Sequence, residues 1–91
     1  MKTFLIIYQL SFSETSYINL INYLKTATYW ARPTTSAWII KTTTDAAKIR
    51  DGVKERLTLN DRVLVIELPA GSNWASSSIG KDVADWMKNN I

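Results

Sequence analysis

The sequence predicts a single α+β domain, and three observations support this prediction. The chain has 91 residues, which is enough for one domain and too few for two. Hydrophobic residues make up 46% of the chain and charged residues 21%, which is the balance of an ordinary globular protein. Segments typical of buried strands alternate along the chain with segments that have the spacing of amphipathic helices.

The first two predicted elements are a buried strand and an amphipathic helix. Residues Thr3–Leu10 are apolar on both alternating faces, which is typical of a central strand. Ser11 or Ser13 then provides a helix cap. The helix that follows has a buried stripe with i, i+3, i+4 and i+7 spacing, made of Tyr17, Leu20, Ile21 and Leu24.

A hairpin and a second helix come next. Tyr29–Trp30 and Ala37–Ile40 are the predicted arms of the hairpin, and residues 32–36 form the connection. Pro33 belongs in that loop or on a sheet edge, because it has no backbone donor. Residues 42–45 can cap a helix whose predicted buried stripe is Ala46, Ile49, Val53 and Leu57. Gly52 within this helix costs about 1 kcal/mol relative to alanine.

The last part of the chain predicts a strand and a terminal helix. Asn60-Asp61 is a turn signal before a strong strand at residues 62–68. Ser78 is the predicted cap of a helix with the stripe Ile79, Val83, Trp86 and Met87. The order strand, helix, strand, strand, helix, strand is the ferredoxin-like βαββαβ pattern. We therefore expect one α+β sandwich over residues 1–91, with a four-stranded antiparallel sheet, both main helices on one face, and an additional C-terminal helix.

The chain has no His and no Cys, and this excludes several kinds of chemistry. Nucleophile systems that depend on His and ordinary zinc sites are both ruled out. Carboxylates, hydroxyls, Lys, Arg, backbone groups or a carboxylate-held Mg²⁺ remain. The lack of disulfides, of a signal-peptide pattern and of an apolar run long enough for a membrane helix predicts a cytoplasmic protein without a membrane partner.

No local motif assigns an activity by itself. Gly80-Lys81 lacks the spacing of a phosphate-binding loop. The Asp residues fall in turns or on polar helix faces, where caps and solvated charges are the expected roles. Trp30 and Trp38 lie on the two hairpin arms, and core or dimer packing is favoured over base stacking. The net charge of +3 is dispersed and is typical of a solvated surface, although it permits contact with nucleic acid.

Several segments together resemble a family of short bacterial and phage proteins often labelled "SinR family". The matching segments are Met1–Tyr8, Ser36–Lys41, Ile49–Asp51, Asn60-Asp61, Trp74 and Asp85–Asn90. These proteins in turn resemble CRISPR-associated protein 2 and, more distantly, the virulence-associated protein D ribonucleases. The resemblance covers nearly the whole chain and implies a ferredoxin-like homodimer.

The resemblance also draws attention to the end of the first strand. In the wider group this strand typically ends in Tyr-Asp, and the Asp residues of the dimer are assigned to Mg²⁺ binding and phosphodiester cleavage. The pair here is Tyr8-Gln9. An amide is a poor Mg²⁺ ligand and cannot act as a general base, so metal-dependent cleavage centred on Gln9 is not expected.

Three hypotheses follow from these features. The first is a CRISPR-associated-protein-2-like homodimer that binds or scaffolds nucleic acid, RNA or DNA, with no cofactor; its candidate phosphate contacts are Arg32, Lys41, Arg50 and Lys54. The second is a toxin-like endoribonuclease, with Mg²⁺ if it is metal-dependent; its candidate site residues are Tyr8, Gln9 and Ser11. The third is a protein-binding module, such as a phage inhibitor or an antitoxin.

Overall fold

A computed structural model describes all 91 residues, Met1–Ile91, and shows an α+β architecture. It contains four strands, three α-helices and one 3₁₀ helix. In chain order these are β1 (Lys2–Gln9), the 3₁₀ helix (Glu14–Tyr17), α1 (Ile18–Leu24), β2 (Tyr29–Thr34), β3 (Ala37–Thr42), α2 (Ala46–Lys54), β4 (Arg62–Leu68) and α3 (Lys81–Asn90). None of these helices has the length and apolar character needed to cross a bilayer.

The four strands form one antiparallel sheet in the order β2-β3-β1-β4, with β2 and β4 at the edges. Ile6 of β1 lies opposite Trp38 of β3 and Val65 of β4. Directly opposed residues point to the same face of a sheet, and their neighbours point to the other. The first face therefore carries alternate residues of β1, beginning with Lys2, and the second face carries the residues between them.

The main core lies on the first face, beneath α1 and α2. The predicted stripe of α1 is confirmed, since all four of its residues are buried, and Ile49 and Val53 of α2 are buried with them. Asp45 caps α2 by accepting a 2.9 Å hydrogen bond from the backbone nitrogen of Lys48. The cluster comprises Phe4, Ile6, Tyr8, Tyr17, Leu20, Ile21, Leu24, Trp38, Ile40, Ile49 and Val53.

The second face of the sheet has two unlike halves. We call the β2–β3 side the covered half: Ala31 and Ile39 are cross-strand partners there, and both are buried. Helix α3 packs against β2 and buries its own Met87. We call the β1–β4 side the open half: its side chains Ile7, Leu64 and Ile66 are 38%, 53% and 43% exposed.

Gly52 fits into α2 because a side chain from α1 occupies the space beside it. A Cβ atom at position 52 would collide with the phenol of Tyr23. The guanidinium of Arg56 lies over the Tyr23 ring at 4.2 Å and donates a 2.7 Å hydrogen bond to the Gly52 carbonyl. A larger residue at position 52 would therefore have to displace the Tyr23 ring from its place between the two helices.

Two predicted boundaries are wrong. Strand β2 continues through Arg32 and Pro33 to Thr34, with an irregularity between Ala31 and Thr34. Since β2 is an edge strand, the donor that Pro33 lacks is not needed there. Helix α3 begins at Lys81 and not after Ser78, because Ser78 and Gly80 have φ values of 62° and 91° and interrupt the helix.

Candidate functional site

Tyr8 and Gln9 end strand β1 and point to opposite faces of the sheet. Tyr8 faces the main core and is only 6% exposed. Its hydroxyl donates to the carbonyl oxygen of Thr35 at 3.2 Å and accepts from Trp38 Nε1 at 2.9 Å. Both functions of the hydroxyl are therefore used in joining β1 to the β2–β3 hairpin, and Trp38 is a core residue as predicted.

Gln9 lies on the second face, at the end of the open half. It is exposed and lies directly opposite Arg62, the first residue of β4. Side chains in such cross-strand pairs have Cβ atoms about 4.5–5.5 Å apart and can contact one another. Arg62 has no carboxylate within 4.0 Å. Position 9, where the resemblance implies an Asp, is thus an amide that lies beside the unpaired cation Arg62.

Asp61 joins the loop after β1 to the loop before β4. Its Oδ1 accepts hydrogen bonds from the Ser11 backbone nitrogen at 2.7 Å and from the Tyr17 hydroxyl at 3.0 Å. Its Oδ2 accepts from the same hydroxyl at 2.8 Å and from the Thr58 backbone nitrogen at 2.7 Å. Burial raises the pKa of Asp61, but the hydrogen bonds from Thr58, Ser11 and Tyr17 outweigh it and hold the pKa well below its ordinary value.

The residues at this end of the sheet do not fit the Mg²⁺ that the resemblance implies for a nuclease. Gln9 offers only a neutral amide oxygen. Asp61 is the carboxylate tied to the loop after β1, and its two oxygens already accept four hydrogen-bond contacts. Nowhere in the chain do three acidic side chains come together in a group that could hold a metal ion. We therefore derive no metal-dependent step here.

Arg62 connects two shallow grooves. One has a volume of about 200 Å³ and includes Gln9 and Leu64 in its lining. The other has a volume of about 560 Å³ and includes Lys54 and Thr58. Lys54, like Arg62, forms no ion pair. We call the combined surface the basic groove, defined by Gln9, Lys54, Thr58 and Arg62.

The structure does not bring the four predicted phosphate contacts together. Arg32 pairs with Glu14, donates to the Thr35 carbonyl at 2.8 Å and lies 4.9 Å from the Trp38 ring centre. Lys41 lies on β3 opposite Thr3, on the second face of the sheet. Arg50 pairs with Asp51 on α2 at 2.9 Å and does not line the basic groove. Lys54 is the member of the set that lines the basic groove.

The sequence-based predictions missed Arg62. The Asn60-Asp61 turn and the following strand are both recognisable in the sequence, so the position of Arg62 at the start of β4 could be predicted. Its partner was not, because pairing with Gln9 depends on β4 lying beside β1 in one particular register.

Comparison of the chain with protein-family models, with curated proteins and with solved structures finds no match.

Proposed function

We propose that this protein is a ferredoxin-like homodimer, similar to CRISPR-associated protein 2, that binds nucleic acid in the cytoplasm without cleaving it. The observation that carries the proposal is the cross-strand pair of Gln9 and Arg62. The pair consists of a hydrogen-bonding amide and an unpaired guanidinium, at the position where the sequence resemblance implies a metal-binding carboxylate.

The ferredoxin-like assignment is supported by the topology of the sheet. Strand order β2-β3-β1-β4, with every pair antiparallel, is what the split βαβ pattern requires. The buried residues of α1 and α2 belong to one core cluster, which lies on a single face of the sheet. Helix α3 is an addition to that pattern and packs against β2.

The homodimer is supported by the open half. Ile7 and Leu64 are cross-strand partners, and Ile66 lies two residues further along β4 on the same face. All three aliphatic side chains are exposed, and no charged side chain lies between them on β4. A two-fold dimer uses the same patch on both copies, so an aliphatic patch can bury itself against its own copy. The Gln9–Arg62 pair of each copy would then lie at the rim of the interface.

The chemistry of the basic groove suits phosphodiester groups. Guanidinium, ammonium, amide and hydroxyl groups all donate hydrogen bonds to phosphate oxygens. Gln9, Lys54, Thr58 and Arg62 supply one of each kind along connected grooves. Asp61 also lines the groove, but its oxygens are occupied by donors from its own chain. Phosphate is common to RNA and DNA, so the choice between them is an outcome of the test.

The geometry gives less support to an endoribonuclease. Of the three candidate residues, Tyr8 is buried on the opposite face from Gln9, and the backbone nitrogen of Ser11 is bonded to Asp61. The Tyr8 hydroxyl already donates to one partner and accepts from another. None of these groups is an unengaged general base beside the basic groove.

The test measures binding and cleavage in the same samples. Wild type and Gln9→Asp are titrated into fluorescein-labelled RNA and DNA oligonucleotides, with and without Mg²⁺, and the oligonucleotides are then examined on denaturing gels. We expect wild type to bind in a salt-dependent manner and to leave both oligonucleotides intact. Mg²⁺-dependent cleavage that appears only in Gln9→Asp would show that one residue separates this site from a nuclease.

Two other results would overturn the proposal. Cleavage by wild type that is lost in Gln9→Ala would identify the endoribonuclease. Failure to bind either oligonucleotide at low salt, together with stoichiometric capture of one protein, would identify the protein-binding module. Lys88→Gln is the matched control for charge, because Lys88 is an exposed cation on α3, an element whose residues do not line the basic groove.

A further inference from the structure

Phe12 is an exposed aromatic residue held at the same end of the molecule as the basic groove. It is 61% exposed and lies in the loop after β1. The preceding residue, Ser11, is anchored by its backbone nitrogen to Asp61 Oδ1 at 2.7 Å. Asp61 directly precedes Arg62 in the chain. The loop that carries Phe12 is thus fixed beside the first residue of β4.

The acidic side chains near this loop are Glu14 and Asp61. Glu14 pairs with Arg32, and the Asp61 carboxylate accepts bonds from Ser11, Tyr17 and Thr58. Arg62 and Lys54, in contrast, have no carboxylate partner. The donors to Asp61 are neutral, so Asp61 keeps its negative charge. The two unpaired cations outnumber this one carboxylate, and the resulting net positive charge favours an anionic ligand.

No other aromatic residue of the chain is as exposed as Phe12. Trp38 is fully buried, and Trp30 packs on it with ring centres 5.2 Å apart. Tyr23 is covered by the guanidinium of Arg56. Tyr29 and Trp30 are partly exposed, but both lie on β2, at the sheet edge opposite β4. Phe12 is more exposed than either of them.

We propose that Phe12 stacks on an unpaired base of a nucleic-acid strand whose phosphates lie on Arg62 and Lys54, so that the ligand is single-stranded. This inference rests on the proposed function and specifies that the nucleic acid is single-stranded. Duplex bases are stacked on one another and do not offer a free face to a side chain, whereas bases of single strands do. Base–aromatic stacking tolerates any sequence, so we expect little preference among bases at this position.

The test compares Phe12→Ala with two matched variants on a single-stranded oligonucleotide and on the duplex of the same sequence. Ile18→Ala removes an apolar side chain that is equally exposed, at 61%, but belongs to α1. Phe12→Trp retains an aromatic face. We expect Phe12→Ala to weaken single-strand binding by roughly 5- to 100-fold, with the salt dependence unchanged, because stacking releases no counterions. Ile18→Ala and Phe12→Trp should bind like wild type, and Phe12→Ala should leave the weaker duplex binding unaltered.

Several results would overturn the stacking role while leaving the proposed function intact. These are unchanged single-strand binding by Phe12→Ala, an equal loss on single strand and duplex, or an equal loss in Ile18→Ala. Leu59 is 99% exposed in the neighbouring loop, so anionic vesicles of phosphatidylserine and phosphatidylcholine form a second arm. Vesicle binding lost equally in Phe12→Ala and Leu59→Ala, without a change in oligonucleotide binding, would assign these loops to a lipid surface. Absence of all oligonucleotide binding by wild type would instead remove the proposed function itself.

Discussion

The two halves of the second sheet face are built from similar residues and end in different environments. Ile39 in the covered half is 3% exposed, whereas Leu64 and Ile66 in the open half are 53% and 43% exposed. Both halves follow the same alternation of residues along antiparallel strands. The difference is that α3 packs against β2, whereas α2, the helix that contacts β4, leaves Leu64 and Ile66 exposed. Aliphatic residues in a strand therefore indicate which face can be buried, but not what buries it.

The open half also differs in how it ends. Its aliphatic residues lead directly to the exposed pair of Gln9 and Arg62, while the covered half is closed by a helix of the same chain. We interpret the covered half as a source of stability for the monomer and the open half as a surface for contact with other molecules.

The largest effect is expected from truncation in the covered half. Ile39→Ala should lower the free energy of unfolding by about 2–5 kcal/mol, because it leaves a cavity in a buried layer. Leu64→Ala should change it by about 1 kcal/mol or less, because the side chain is half exposed in the monomer. Both changes in unfolding free energy are to be measured by denaturant unfolding at low protein concentration, where dimer formation contributes least. Equal losses in the two variants would contradict the contrast between the halves.

A smaller effect is expected at the hydrogen-bonded turn that supports the end of the open half. Asp61→Ala leaves the donors of Ser11, Tyr17 and Thr58 without their acceptor and should cost about 1–3 kcal/mol. The pKa of Asp61 is depressed in the folded state, so its contribution is complete above the ordinary Asp value of about 3.9. That contribution is lost as the pH falls below this value towards the folded-state pKa.

Acid unfolding of wild type and Asp61→Asn checks the direction of this pH dependence. Wild type should lose stability more steeply than the variant as the pH is lowered below about 4. Parallel curves for the two proteins would show that the hydrogen bonds to Asp61 do not stabilise its ionised form. Asp51→Asn is a suitable control, since Asp51 is exposed and pairs only with its neighbour Arg50.

The smallest effect is expected from single cations. Arg62→Gln and Lys54→Gln should each reduce the slope of log binding constant against log salt by about 0.7–0.9, the value for one phosphate contact. Lys88→Gln, on the helix that covers the other half, should leave the slope unchanged. The measurement is fluorescence anisotropy of a labelled oligonucleotide at several salt concentrations. If Lys88→Gln reduced the salt slope as much as Arg62→Gln does, the phosphates would contact cations all over the surface and not a defined groove.

Much of the fold could be predicted from local sequence patterns. The apolar run of β1, the stripe of α1 and the strong strand β4 all appear in the structure within one or two residues of their predicted positions. The start of α3 was predicted incorrectly because Ser78, the predicted cap, adopts a left-handed backbone conformation. Local patterns do not reveal such a conformation in a residue other than glycine.

The candidate site was less accessible to sequence reasoning than the fold. Gln9 was identified through the family resemblance, but its pairing with Arg62 depends on strand register. The role of Asp61 depends on donors that lie 3, 44 and 50 residues away in the chain. Arg32 was predicted to contact phosphate, yet the fold places its guanidinium over Trp38 and beside Glu14. Charge alone did not distinguish a cation that is engaged within the chain from one that is available to a ligand.

The central claim is that a second copy of the chain covers the open half. Sedimentation velocity of wild type, Leu64→Glu and Ile18→Glu tests it directly, because Leu64 lies in the open half and Ile18 is an equally apolar exposed residue outside it. We expect the fitted mass of wild type and of Ile18→Glu to be twice the chain mass of 10.3 kDa. The fitted mass of Leu64→Glu should equal that of a single chain. A wild-type monomer, or a Leu64→Glu variant that still forms the dimer, would contradict the claim.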